Sequence, residues 1–174
     1  WEGWHKVFIG LAASLLAGFF VAYLLGTILV ELMVRVAPRP TKKVIDYAHV
    51  VGAGTMAFAH GMNDGQKFIG IFTLVLAMHS HEAGFHISWW VIALCSITMG
   101  VGTAFGGWRI IATVGKKMGT ISSWQGLVAT VTASSVIIIV SNLGVPLSTT
   151  HTVTTAIAGA NASQNMTNVR WHVL

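Results

Sequence analysis

Charge is what this sequence lacks most. Only 9% of its 174 residues are Asp, Glu, Lys or Arg, against about 25% in soluble domains. A soluble domain of this length needs more charge than that to cover its surface. Cysteine is nearly absent as well. The single Cys95 excludes an internal disulfide and a cysteine-built metal site. No GxxxxGK[ST] phosphate loop occurs, so nothing in the chain supports ATP-driven chemistry.

What is present suits a bilayer. The chain is 54% hydrophobic and carries 19 Gly and 7 Trp. Small residues let membrane helices approach closely, and Trp settles at lipid–water interfaces. The net charge of +5 would suggest nucleic acid in a soluble protein. Here the basic residues fall in short clusters between apolar runs, which reads as orientation in the membrane and not as nucleic-acid binding. The fold class implied is all-α: a polytopic membrane helical bundle forming one transmembrane domain over residues 1–174.

About 20 apolar residues cross the hydrocarbon core. The spacing predicts spans over 7–34, 44–78, 88–108 and 122–142. The second is too long for one straight span and carries His60-Gly61-Met62-Asn63-Asp64-Gly65-Gln66-Lys67 in its middle. A helix broken near 60–67 is the expected form. Residues 146–162 are expected to be re-entrant. Arg35, Arg39, Lys42 and Lys43 mark a cytoplasmic loop over 35–43, and Arg109, Lys116 and Lys117 mark another over 109–120. The chain opens on Trp1 and closes on what reads as an unfinished helix, so a piece of a longer protein is expected.

Two constellations carry chemistry. In the first, Asp64 and Lys67 are ionisable groups flanked by apolar sequence, costly at membrane depth and functional by default. Gly61 and Gly65 permit the backbone to unwind and expose groups that bind an ion. The plainer reading is a surface turn, since Asn-Asp-Gly is common turn chemistry. In the second, Pro146-Leu147-Ser148-Thr149-Thr150-His151, Ser148 or Thr149 caps a helix. A helix start offers free N–H groups and a positive dipole end, which is anion-binding chemistry. An ordinary capped helix at the membrane surface explains the same letters. His60 and His151 adjoin the two motifs, and two helix-borne histidines also suit haem or a metal. His79, His81, Glu82 and His86, within eight residues, could hold zinc loosely but imply no specific geometry.

At these points the sequence resembles the PiT family of inorganic phosphate transporters. The matching segments are Phe58 to Lys67, Gly107-Trp108-Arg109-Ile110-Ile111, Trp124-Gln125-Gly126 and Gly144 to His151, in the order of the C-terminal repeat of bacterial members. The resemblance runs from about residue 44 to the end. It implies one half of an inverted-repeat transporter, with phosphate and coupling cations held between halves near the midplane. Asn63, Ser148, Thr149 and Thr150 would then bind phosphate. Asp64, with Asn63, would hold the coupling cation, because a bare carboxylate repels an anion of about −1.5 to −2 charges. His60, Lys67 and His151 would be accessory. Members of the family are similar in carrying Glu or Gln where this chain has Thr130.

The function expected is secondary transport of inorganic phosphate by alternating access, coupled to Na⁺ or H⁺. No catalytic residue, resident metal or organic cofactor is expected, and no enzyme activity. The expected setting is a bacterial inner membrane, with phosphate, lipid and the missing N-terminal half as partners; a homodimer is left open. The rival readings are a channel or carrier for another anion such as sulfate, a di-His haem or metal subunit, and a purely structural membrane subunit.

Overall fold

Apolar segments in lipid have few ways to satisfy their backbone, and the helix is the local one. The computed structural model describes residues 2–34, 38–80, 86–118, 121–145 and 147–169. Among them regular structure is helical throughout: α1 (Glu2–Val34), α2 (Pro38–Ser80), α3 (Trp89–Met118), α4 (Ser123–Asn142), α5 (Thr149–Ala162) and a 3₁₀ turn, Met166–Asn168. Among the described residues three stretches are long and apolar enough to cross a bilayer: Val7–Met33, Trp89–Gly107 and Ser123–Asn142. The chain is an all-helical membrane bundle.

The structure departs from expectation at three places. Helix α2 is not broken at 60–67; residues 60 to 67 are helical throughout. Each glycine inside a helix costs only about 1 kcal/mol, so Gly61 and Gly65 permit a break without forcing one. The stretch 44–78 does not qualify as an apolar span either, because the polar residues at its centre dilute it. Nor are the basic segments simply loops. Residues 38–43 open α2 and residues 109–118 finish α3, leaving only 35–37 and 119–120 outside the described residues. Pro38 and Pro40 fall in the first turn of α2, where a missing N–H has no intrahelical partner to lose. Pro146, His81 and Glu82 also lie outside the described residues.

The chain forms two compact units, and each is described by itself. The first holds residues 1–60 and 117–174, the second 61–116. In the first, α1 buries Gly10, Ser14, Gly18, Ala22 and Gly26, a small residue every fourth position. That spacing keeps them on one face of the helix. Helix α5 lies along this face and runs parallel to α1. A Cβ on Gly18 would lie 2.6 Å from Thr155 Oγ1, one on Gly26 would strike the Ser163 hydroxyl, and one on Gly159 would strike the Phe19 carbonyl. Ala22, Val128, Ala129, Ala133, Ala156 and Ala160 complete a core shared by α1, α4 and α5. Alanine and glycine let three helices meet with little side chain between them.

Helix α4 returns to α5 through a turn in which Gly144 adopts φ +69°, a left-handed conformation that glycine takes without steric cost. The two helices are antiparallel, and Gln125 Nε2 near the start of α4 donates to Gln164 Oε1 just past α5 at 3.3 Å. The first part of α2 packs on α4 as well. The His49 ring fills the space beside Gly126, and Thr130 Oγ1 lies 2.7 Å from where a Cβ on Gly52 would be. In the second unit Phe72 of α2 meets Trp90 of α3 edge-on, ring centroids 6.0 Å apart.

Gly159→Ala is expected to destabilise the protein by about 1–3 kcal/mol, since the added methyl meets backbone and neither helix can yield alone. Gly54→Ala, with nothing within 4 Å of the new Cβ, should be neutral or stabilising. Thermal unfolding of the two variants in detergent checks the contrast; equal melting temperatures would remove the close crossing from the fold's stability.

Candidate functional site

The first constellation is held by helical geometry. Residues three apart on a helix are neighbours, and Lys67 Nζ donates to Asp64 Oδ1 at 2.9 Å. Asn63 Nδ2 donates to the same oxygen at 3.3 Å. Asn63 is 4% exposed, whereas the Asp64 and Lys67 side chains are 24% and 43% exposed. A buried amide and an ammonium therefore converge on one carboxylate. Exposed apolar side chains follow directly, with Phe68 and Ile71 57% and 64% exposed. This surface is built for lipid or protein and not for water. His60, half-buried, is the last residue of the first unit.

The second constellation is a capped helix start. Ser148 is the N-cap of α5, and its Oγ accepts from the His151 backbone N–H at 3.4 Å. The same Oγ lies 2.7 Å from His151 Nδ1. Thr152 Oγ1 donates back to the Ser148 carbonyl at 2.9 Å, and Thr154 Oγ1 donates to the Thr150 carbonyl at 2.7 Å. The hydroxyls of 148–150 do not form one row, because consecutive helical residues point about 100° apart. Thr149 is buried at 4% exposure, while Thr150 is exposed.

The depth of this helix start follows from packing inside the first unit. Thr152, one turn into α5, packs on Gly18, and Ser163, just past its end, packs on Gly26. Gly18 lies near the middle of the apolar stretch Val7–Met33. Helix α5 thus begins a turn before that point, in the first third of the span, and ends beside its last third. At 14 residues it is about 21 Å long, short of the roughly 30 Å of hydrocarbon. A positive dipole end beside an apolar span favours an anion.

The predicted residues group as Asn63, Asp64 and Lys67 in one unit and Ser148, Thr149, Thr150 and His151 in the other. Sequence reasoning missed several buried polar side chains. Thr132 Oγ1, Asn161 Oδ1 and Thr73 Oγ1 are buried without a hydrogen-bond partner. Gln125 Oε1 reaches back to Ser122 N at 2.9 Å and Ser122 Oγ at 2.8 Å. The available signal was a polar letter inside an apolar run. Thr130 Oγ1 bonds to the Gly126 and Leu127 carbonyls at 2.9 and 3.1 Å. Among the described residues no cluster of three His, Cys, Asp or Glu is placed to hold a metal ion.

A polar helix start and a paired carboxylate set among apolar helices define a membrane transporter more readily than a soluble binding module. The chain belongs to the phosphate transporter family, whose model matches residues 33–174 and so includes both constellations. It is 34% identical over 172 residues to a "probable low-affinity inorganic phosphate transporter" of Rhizobium meliloti (strain 1021), covering 98% of this chain and 52% of that protein. A protein of the same name in Bacillus subtilis (strain 168) is 33% identical, with 96% and 52% covered. Another in Mycobacterium tuberculosis (strain ATCC 25618 / H37Rv) is 35% identical over 180 residues, with 99% and 42% covered. The chain spans about half the length of the curated relatives it matches. No solved structure matches it. The family is one of transporters and not of enzymes.

Ser148→Ala should cost about 1 kcal/mol by removing the cap of α5, with Ser148→Asp recovering most of it. Melting temperature reads this directly. An unchanged value for Ser148→Ala would mean that packing on α1 alone fixes the helix start.

Proposed function

We propose that the transporter containing this chain moves inorganic phosphate across the membrane as a cation-coupled secondary carrier working by alternating access. The observation that carries this reading is the family match, which spans both constellations. The geometry adds the chemistry. The start of α5 offers backbone N–H groups and the hydroxyls of Ser148, Thr149 and Thr150 to phosphate oxygens. Asp64 holds the coupling cation, Na⁺ or H⁺, with Asn63 turning its amide to either ion. His60, Lys67 and His151 tune the charge nearby. The cation neutralises Asp64 and so lets the anion come close, which ties the entry of one to the entry of the other. In this reading phosphate and cation are held between this chain and an N-terminal half of the same protein. The membrane is a bacterial inner membrane, with the basic segments 35–43 and 109–120 on the cytoplasmic side.

Asp64→Asn in the full-length protein should abolish cation-driven phosphate accumulation in proteoliposomes while leaving the melting temperature close to wild type. Accumulation near the wild-type rate would reject a coupling role for Asp64. Thr149→Val keeps the shape and removes a hydroxyl in a buried place. It should raise the phosphate KM about 5- to 10-fold, as expected for one lost hydrogen bond of about 1–1.5 kcal/mol. Counterflow of labelled phosphate against unlabelled sulfate tests the cargo. Equal exchange of both would favour a general anion carrier.

A further inference from the structure

The proposed function uses the start of α5 and leaves its far end without a role. A helix that stops inside a bilayer holds the negative end of its dipole away from water. Ser163, just past the end of α5, packs on Gly26 of α1. Gly26 lies seven residues before Met33, where the apolar stretch of α1 finishes, so α5 stops about 10 Å short of that level. A Lys or Arg in the last turn commonly answers such an end. The last turn of α5 has no basic residue, and α4 beside it has no Lys or Arg along its whole length. The turn that follows looks after the backbone, since the Asn161 carbonyl accepts from the N–H groups of Gln164 and Asn165 at 3.2 and 3.3 Å. A side chain is what lacks a donor. Asn161 is 9% exposed, and its Oδ1 is buried without a hydrogen-bond partner among the described residues. One turn on, Gln164 Oε1 accepts from Gln125 Nε2 at 3.3 Å, and a carbonyl oxygen has room for a second partner. Gln125 is itself buried, with its own oxygen engaged by Ser122, and so holds Gln164 in place.

We propose that the C-terminal end of α5 binds an alkali-metal cation, with Asn161 Oδ1 and Gln164 Oε1 as its side-chain ligands. The site lies wholly within the first unit and is additional to the cation assigned to Asp64. Residues three apart around a helical turn are neighbours, so the two amide oxygens sit side by side at the negative end of the dipole. Both are acceptors, and an acceptor pair calls for a positive partner. Neutral oxygen ligands suit a hard cation of low charge. A divalent ion asks for carboxylates, and among the described residues no cluster of His, Cys, Asp or Glu is placed to hold one. Half-helix C-terminal ends hold cations in this way in transporters whose helices stop inside the membrane. The ion satisfies the orphan oxygen and stands where the missing Lys or Arg would be.

The test uses the full-length transporter purified in detergent and carrying Asp64→Asn, so that the cation assigned to Asp64 does not contribute. Melting temperature is measured in NaCl, KCl and choline chloride of equal ionic strength, and bound ²²Na⁺ is counted by equilibrium dialysis. Na⁺ or K⁺ should raise the melting temperature above its value in choline, in proportion to the logarithm of concentration once the site fills. Asn161→Leu should weaken Na⁺ binding about tenfold or more, as for loss of an interaction with a charged partner. Asn161→Asp, which keeps the oxygen and adds a charge, should bind Na⁺ more tightly than the parent. Should Asn161→Leu fail to fold, Gln164→Leu at an exposed position carries the same test, with the same loss expected. A buried water, or a donor from elsewhere in the protein, predicts instead that the three salts act alike. In that case Asn161→Leu shifts the melting temperature equally in all of them, and this result overturns the proposal. So does unchanged Na⁺ affinity in both leucine variants. A protein that binds Na⁺ here and carries no phosphate would overturn the transport reading and leave this site standing.

Discussion

The structure depends on one close approach. Helix α5 can lie along α1 only because Gly18, Ala22 and Gly26 leave room for Thr152, Thr155 and Ser163, and because Gly159 brings the two backbones nearly into contact. Lipid tails are as apolar as leucine, so helices gain nothing by merely hiding hydrophobic surface from them. Intimate contact between small residues is what remains. That contact fixes how deep α5 begins, and with it the depth of Ser148 and the backbone N–H groups behind it. The position of this helix start is therefore a consequence of packing that begins one turn into α5 and runs to its far end.

The second constellation obeys a different constraint. A carboxylate set among Phe and Ile side chains needs a counter-charge, and a lysine three residues on is the nearest source. An exposed pair of this kind in water contributes little. Among apolar neighbours the same two charges hold each other more strongly. Chemistry and folding thus divide the labour: small residues position the helices of the first unit, and a few polar side chains govern charge in the second.

Much of this was legible in the letters. The apolar lengths of α1, α3 and α4 fixed their existence, the end of α1, the start of α3 and both ends of α4, because hydrocarbon thickness imposes a narrow range on apolar runs. Ser148 as a cap was legible because few residue types satisfy a helix start. The continuity of α2 was not, since Gly-Met-Asn-Asp-Gly reads equally as a turn and as tolerated helix. Nor were the helical ends of the basic segments, where charge reported sidedness and said nothing about backbone. The split of Thr149 from Thr150 needed the helix phase. Gly126 beneath His49, and Gly159 against Phe19, join residues about 77 and 140 positions apart; no local pattern encodes such partners. The Asp64–Lys67 contact was in reach of spacing alone and gains its meaning only from the apolar surroundings.

The shortness of α5 has an electrical consequence. With 14 residues it is about 21 Å long, shorter than the roughly 30 Å of hydrocarbon. Both of its ends cannot reach the headgroups while it lies along α1. An end held away from bulk water is poorly reached by dissolved salt, so mobile ions mask its partial charge less than they mask that of a helix end on a soluble surface.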